Sequence, residues 1–315
     1  MEKKVYVILA NLGGPSKKGE VRKFLFNLFN DKYIIPLPKI PRFILASLIS
    51  LFRSGKSQKE YDKMGGCSPI LQNTQTQARL LHQSLGGDFE VLIAMSYSRP
   101  NMEDAFAKID NPKKVILLPL YPQYSITTTK SCAAKFCKTA TKNNVQNIDV
   151  ISNFYQNSKY IASCVERIIS AFNNIEDKSK KNIILFSAHG IPVDFVEKFN
   201  DPYRDQIEST ASLIQDSLKN MDIKFEGMVC FQSRVGPKEW LKPYIQDVLP
   251  QCKGCNVIIF PVAFVSEHLE TLVELDHQYN EFAKQCGVLS YHRALTPSDS
   301  PMFIHALTEE VLNKN

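Results

Sequence analysis

The 315-residue chain lacks most signatures that would assign it a simple role. It has no long basic run: 38 Lys and Arg against 32 Asp and Glu leave a scattered formal charge of +6, so no nucleic-acid partner is expected. No apolar tract nears the ~20 residues that cross a bilayer. One such tract, Phe43 to Phe52, stops between Arg42 and Arg53. The opening Met1 to Lys4 and apolar Val5 to Ala10 run into Asn11 and Gly13-Gly14-Pro15 without a small-residue cleavage pattern. That stretch reads as a first strand, not a secretory signal. The eight cysteines are dispersed, which suits a reducing cytosol better than a disulfide framework. Cys252-Lys-Gly-Cys255 has the spacing of half a zinc site, but no second pair follows at a matching interval. Gly-x-Gly-x-x-Gly, Gly-x-Ser-x-Gly and His-Glu-x-x-His are all missing, as are low-complexity segments and short-period repeats.

What is present is an apolar content of 44%, enough for a sizeable core and, at this length, for two domains. Strand candidates alternate with helical or polar stretches at Val5–Ala10, Glu90–Met95, Val115–Leu118 and Ile148–Ser152. They recur at Ile183–Phe186, Gly227–Phe231, Val257–Phe260 and Val288–Tyr291. Alternation of this kind predicts βα units and mostly parallel sheets. The two sets also resemble each other. Val5 to Pro15 matches Ile183 to Pro192, Phe89-Glu90 with Ser98-Arg99 matches Phe225-Glu226 with Ser233-Arg234, and Val115 to Pro119 matches Val257 to Pro261. Two similarly built α/β halves, facing one another, are expected, with a boundary within Asn153 to Ser158. The first half carries roughly 35 extra residues between its first and third strands, including Tyr33 to Pro41 and Phe43 to Phe52. Such an insertion is either a lip over a ligand or an extra packing helix. Its apolar tract, bounded by cations, could rest on a membrane surface, line a pocket or be buried.

Two stretches could carry chemistry. In Asn182 to Pro192 a doubly buried strand breaks into small residues around His189, at the end of an inner strand where open parallel sheets place ligands. A core histidine bonded to a backbone carbonyl is the competing reading. In Ser266 to His277, Ser266 could cap a helix; at 100° per residue Glu267, Glu270, Glu274 and His277 share one face, opposite Leu272, Leu275, Tyr279 and Ala283. That face is either solvated or a ladder of oxygen and nitrogen ligands for a divalent cation or protons. His268 falls toward the apolar side, to pack or orient. Gly65-Gly66-Cys67-Ser68-Pro69 is a turn able to meet a carboxylate, and Tyr121 to Thr129 is a polar loop or a capped helix start.

Taken together, Ser187 to Pro192, Leu118 to Ser125, Phe231 to Pro237 with Trp240-Leu241, and Pro261 to Phe264 with Glu267 to Leu272 resemble the ferrochelatases. Asn11 to Pro15 and Gly65 to Pro69 match the family's early motifs, so six motifs lie in family order across nearly the whole chain. The resemblance implies a fold of two Rossmann-like, chelatase-type lobes, each with a mostly parallel four-stranded sheet flanked by helices and an active cleft between them. The first lobe would span 1–155 plus 297–315, with the lip insertion and a returning C-terminal helix; the second would span 156–296.

The resemblance further implies a metal chelatase, a lyase that inserts Fe²⁺ into protoporphyrin IX to form protohaem and releases two protons. It assigns His189 and Glu270 as the catalytic pair and His189, Glu270, Glu267 and Glu274 as the metal row, Glu267 replacing the commoner Asp. Arg53, Lys56, Tyr61, Ser68 and Ser233 would anchor the propionates, while Trp240 and Leu12 would touch the macrocycle. Alternatives are a related chelatase using coproporphyrin or another metal, and a non-catalytic two-lobed tetrapyrrole-binding protein. Fe²⁺ would be a substrate, with no tightly bound cofactor. Ile126 replaces a cysteine of cluster-bearing members and no cysteine-rich extension follows, so no iron–sulfur cluster is expected. A cytoplasmic location, with the lip available for peripheral membrane contact, completes the expectation. Two further departures are Ser96, where many members carry a basic residue, and Gly190, where Ser is common.

The residue types suit this chemistry. Metallation removes two pyrrole protons and delivers a hydrated cation through a flat ring, so it needs a base and a metal path. Histidine accepts protons near neutrality, and carboxylates hold Fe²⁺ weakly enough to release it, whereas a thiolate cage would retain it.

Overall fold

The computed structural model describes residues 3–315; Met1 and Glu2, with which the first lobe and the opening stretch begin in the sequence reading, lie outside the described residues. Among the described residues eight strands form: β1 (Val5–Asn11), β2 (Phe89–Met95), β3 (Lys114–Pro119), β4 (Ile148–Val150), β5 (Asn182–His189), β6 (Glu226–Gln232), β7 (Asn256–Pro261) and β8 (Ser290–Arg293). They build two parallel four-stranded sheets, ordered β2-β1-β3-β4 and β6-β5-β7-β8. The shared order bears out the internal similarity read from the sequence. The chain divides into two compact units, Met1–Asn153 with Leu307–Asn315, and Phe154–Ala306.

Each inner strand is an apolar run because helices cover both faces of its sheet. In the first unit every residue of β1 is buried, and Ile8, Leu117 and Phe136 join one core cluster with Met102 and Phe106. In the second unit β5 is buried from Asn182 to Ala188, and Leu185, Ile259, Leu249 and Leu275 pack together. Burying one such side chain contributes roughly 1.5–3 kcal/mol. The second unit's first helix, Ser158–Asn173, starts where Asn157 accepts hydrogen bonds from the Lys159 and Tyr160 amides at 3.0 and 3.2 Å.

Several strand ends differ from the sequence expectation. β4 stops at Val150, and β8 begins at Ser290 instead of Val288. β5 runs on through His189, which pairs in register with Gln232 of β6. Ser187, Ala188 and His189 therefore belong to the ladder: small side chains and an imidazole can extend a strand whose register the sheet has already set.

The insertion of the first unit forms one long helix, Lys39–Asp62. Only Ala46, Ser50 and Tyr61 of it are buried. Ile40, Phe43, Ile44, Leu48, Leu51 and Phe52 stay exposed, the last at 79%, so this is no buried packing helix. Among the described residues no helix is long and apolar enough to cross a membrane.

Candidate active site

The carboxyl ends of β5 and β6 and the segment after β7 converge in the second unit. β5 delivers His189, with its side chain 36% exposed, and β6 delivers Gln232 followed by Ser233. After Pro261 the chain bends through Ser266 and Glu267 and enters a helix whose stretch Glu270–Gln278 is of the wider π type. Ser266 is therefore not its cap. A π turn bonds i to i+5, so the rotation per residue is smaller than in an α-helix. Glu270 and Glu274, four apart, come to one side, while His277 turns to the exposed surface.

The geometry around these carboxyls is close. Glu270 Oε2 lies 2.7 Å from His189 Nδ1 and accepts a hydrogen bond from Ser233 Oγ at 3.4 Å. The same hydroxyl contacts Glu274 Oε2, which also accepts from Gln232 Nε2 at 3.3 Å. Gln232 is oriented by Ser187 Oγ, which donates to its Oε1 at 2.5 Å. Tyr203 donates its phenol to the His189 carbonyl at 3.0 Å, and Trp240 stands edge-on to the imidazole at 6.3 Å between ring centroids. The indole Nε1 is buried without a hydrogen-bond partner among the described residues.

Charge follows from this arrangement. Burial opposes the Glu270 carboxylate, but His189 beside it outweighs burial and holds the carboxyl well below its ordinary value. His189 is raised in turn: burial disfavours the imidazolium, and Glu270 overcomes that. Glu274 moves the other way, pushed up by burial and by the nearby Glu270 charge. A hydroxyl has one hydrogen, so Ser233 can serve both carboxyls at once only if one is protonated and donates to it. Glu274 is suited to that role.

Two expected site residues are placed differently. Glu267 precedes the helix and leaves the acidic row: both its oxygens face Arg293 Nη1 at 3.1 and 3.0 Å, and Oε1 accepts from the Thr296 amide at 2.8 Å. The guanidinium, 26 residues on in sequence, draws it away. Ser233, expected at a propionate, reaches the two carboxyls of the acidic row. His268, expected to pack or orient, is buried with Nδ1 3.0 Å from the Ser266 carbonyl and Nε2 4.0 Å from Glu270 Oε1. Sequence reasoning missed Gln232, Ser187 and Tyr203 as members of this site, because strand register and the start of the helix Tyr203–Lys219 bring them to it. Gly190 has a steric reason: a Cβ there would stand 3.2 Å from the Gln232 carbonyl and 3.3 Å from the Trp240 ring.

Leu12, Arg53, Lys56, Tyr61 and Ser68 belong to the first unit. Arg53 and Lys56 lie exposed on the long helix just past its apolar stretch, with the Arg53 guanidinium 5.9 Å from the Phe29 ring. Tyr61 and Ser68 are buried, and the Ser68 amide donates to the Pro15 carbonyl at 2.8 Å. This contact brings Gly65 to Pro69 against the turn at Gly13-Gly14. There the left-handed φ of +85° and a Cβ position 2.4 Å from Ser98 Oγ leave room only for glycine at position 13. The loop after β3 resolves as a capped helix start, Ser125 accepting from the Thr127 amide at 3.2 Å.

A family model described as Ferrochelatase matches residues 4–315. The chain belongs to the ferrochelatase family. The ferrochelatase of Rickettsia bellii is 41% identical over 326 residues, covering 99% of this chain and 87% of the relative. That of a Wolbachia strain from Drosophila simulans is 40% identical over 316 residues, covering 98% of each. The chloroplastic ferrochelatase-2 of Hordeum vulgare is 39% identical, covering 99% of this chain and 67% of its own length. Among solved structures, SirB from Bacillus subtilis with Fe³⁺ aligns with a TM-score of 0.59 at 12% identity over 99% of this chain and 95% of that one. CbiX, the terminal enzyme of sirohaem biosynthesis in denitrifying bacteria, aligns at 0.53 with 12% identity over 99% of each chain. These last two likenesses concern the fold, that of a two-lobed chelatase with a parallel four-stranded sheet in each lobe.

Proposed function

We propose that this ferrochelatase-family enzyme inserts Fe²⁺ into protoporphyrin IX, with His189 and Glu270 as the groups that meet metal and pyrrole protons. The observation that carries the reading is the 2.7 Å contact between His189 Nδ1 and Glu270 Oε2 at the carboxyl end of an inner strand, with Glu274 joined to Glu270 through Ser233. At rest the pair holds a proton on the imidazole. A cation arriving at Glu270 cancels the negative charge that keeps that proton in place, so His189 gives it up and becomes able to accept one from a pyrrole. Metal arrival and base activation are thereby coupled. Glu274 supplies the next oxygen along the row for either the cation or a departing proton.

Arg53 and Lys56 are assigned to the propionates on their exposure and charge, with Tyr61 and Ser68 nearby in sequence, and Leu12 and Trp240 to the macrocycle. The exposed apolar side of Lys39–Asp62, bounded by cations, suits peripheral contact with an anionic membrane surface from a cytoplasmic position. The reaction calls for no resident cofactor, since iron enters as substrate.

An anaerobic assay of the purified chain with protoporphyrin and Fe²⁺, alongside His189→Ala and Glu270→Ala, tests the reading. Wild-type turnover with loss in both variants is expected. A wild type that binds porphyrin but metallates it no faster than buffer overturns the enzymatic reading, and faster turnover of coproporphyrin overturns the substrate assignment. Liposome co-sedimentation of the wild type against Phe43→Glu/Leu51→Glu tests membrane contact; equal pelleting would refute it.

A further inference from the structure

The helix that carries Glu270 and Glu274 has little of its own to hold it in place. At its start Thr271 Oγ1 accepts from the His268 amide at 3.0 Å, but the i→i+5 bonding of Glu270–Gln278 is a rare and poorly favoured geometry. Yet two carboxyls must sit within hydrogen-bond reach of one hydroxyl and one imidazole. Something outside the helix has to set their position.

Arg293, the last residue of β8, is built to do so. Its side chain is only 4% exposed, and its donors are committed on two sides. Nε and Nη2 form a fork to Asp276 Oδ1 and Oδ2 at 2.6 and 2.9 Å. Nη1 meets both oxygens of Glu267 at 3.1 and 3.0 Å. The two carboxylates bracket Glu270 and Glu274 in the chain, so one guanidinium pins the segment before and after the pair. Thr296 adds its amide and hydroxyl to Glu267 Oε1 at 2.8 and 3.0 Å, and Tyr291, also on β8, donates to the Leu275 carbonyl at 2.8 Å. The planar fork fixes both direction and distance, which the single point charge of a lysine could not.

The clamp also sorts charge. Without the guanidinium, Glu267 and Asp276 would be two further charged carboxylates on the segment that carries the pair, able to compete for the cation. Paired with Arg293, they have their oxygens taken up by its donors and one of their two charges cancelled, and the oxygens left for a metal are those of Glu270 and Glu274.

We infer that Arg293 is a positioning residue for metal delivery: by holding Glu267 and Asp276 it places the Glu270–Glu274 pair and withholds the flanking carboxylates from the cation. This rests on the iron-insertion reading for its consequence in turnover, though its consequence for metal binding stands apart from it.

The test compares wild type, Arg293→Lys and Asp276→Asn as full chains, with thermal unfolding, porphyrin binding by fluorescence quenching, the separate KM values for Fe²⁺ and porphyrin, and calorimetric binding of Zn²⁺ to porphyrin-free protein. Arg293→Lys should bind porphyrin as the wild type does, while its KM for Fe²⁺ rises and its Zn²⁺ affinity falls by about tenfold or more, the usual effect of losing an outer partner of a metal ligand. Asp276→Asn should move the same two quantities in the same direction by less. A folded Arg293→Lys with wild-type Fe²⁺ KM and Zn²⁺ affinity overturns the inference, as does a loss that falls equally on porphyrin and metal. Should Arg293→Lys fail to fold, Asp276→Asn decides, and unchanged metal parameters there overturn it. If the wild type itself does not metallate porphyrin, the iron reading fails, and the Zn²⁺ affinities still judge the clamp.

Discussion

Glu270 and Glu274 are joined through one hydroxyl, that of Ser233, yet hold opposite protonation tendencies. Glu270 is an anion because His189 stands 2.7 Å away; Glu274, buried beside that anion, keeps its proton toward neutrality. One site thus contains a carboxylate ready for a cation and a carboxyl whose proton can leave when a cation arrives.

The Glu274 carboxyl is raised from its ordinary 4.5 to about 7, first by burial and then by Glu270. A raised value means the folded chain holds the proton more tightly than the unfolded one. The associated stability is full below 4.5 and is lost as pH rises through about 7. Glu274→Gln should therefore gain stability over wild type as pH climbs across that window. Urea unfolding at acidic and mildly alkaline pH, with metal removed, measures the difference, and a gap that does not grow with pH counts against the assignment.

His189 is raised above 6.5, Glu270 overcoming burial. The histidine's contribution to stability is complete below 6.5 and fades as pH rises through the folded value, while that of Glu270 is present above 4.5 and fades as pH falls through its lowered folded value. Replacing Glu270 with Gln should lower the His189 titration midpoint, because the carboxylate that raises it is gone. Imidazole nitrogen shifts followed by NMR across the pH range read this directly.

Asp31 in the first unit has a 4% exposed side chain and accepts from Tyr97 at 2.9 Å, Ser131 at 2.5 Å and Lys135 at 2.9 Å. Burial works against its charge, but Lys135, the Ser131 hydroxyl and the Tyr33 amide bring the carboxyl below its ordinary 3.8. Its contribution is present above 3.8 and lost as pH falls through the lower folded value. Asp31→Asn removes the buried carboxylate that the partly exposed Lys135 ammonium and the Tyr97 and Ser131 hydroxyls donate to, and should cost about 1–3 kcal/mol at neutral pH, with the gap to wild type narrowing in acid. Chemical denaturation at both pH values checks it.

Ser233 holds a left-handed φ of +64°, costly for any residue with a Cβ. Ser233→Gly should release roughly 1 kcal/mol of backbone strain while removing the hydroxyl between the two carboxyls. A melting temperature equal to or above wild type, together with a several-fold higher KM for Fe²⁺, is the expected combination. A lower melting temperature with unchanged metal kinetics would mean the hydroxyl serves packing alone.

Much of the architecture was legible because it rests on local chemistry. Apolar runs such as Ile183–Phe186 and Val257–Phe260 announce doubly covered strands, and their repeated pattern predicts two alike sheets, as observed. His189 is readable as the imidazole where one such run ends. Glu270 and Glu274 are readable as a pair, since a four-residue spacing faces one side in an α-helix and in a π-helix alike.

Glu267 was not readable, because its fate depends on Arg293, and no periodicity encodes a partner 26 residues away on another strand. Nor was the point where the helix begins, or its π winding, which moved His277 to the surface. Sequence alone determined which segments bury and which side chains stand at strand ends, because both follow from apolar patterning and spacing. Tertiary structure decided which carboxylate is paired, which is protonated and which is left for a cation, because those depend on charges and hydroxyls brought within about 3 Å of one another by strand register, where electrostatic interactions are strongest.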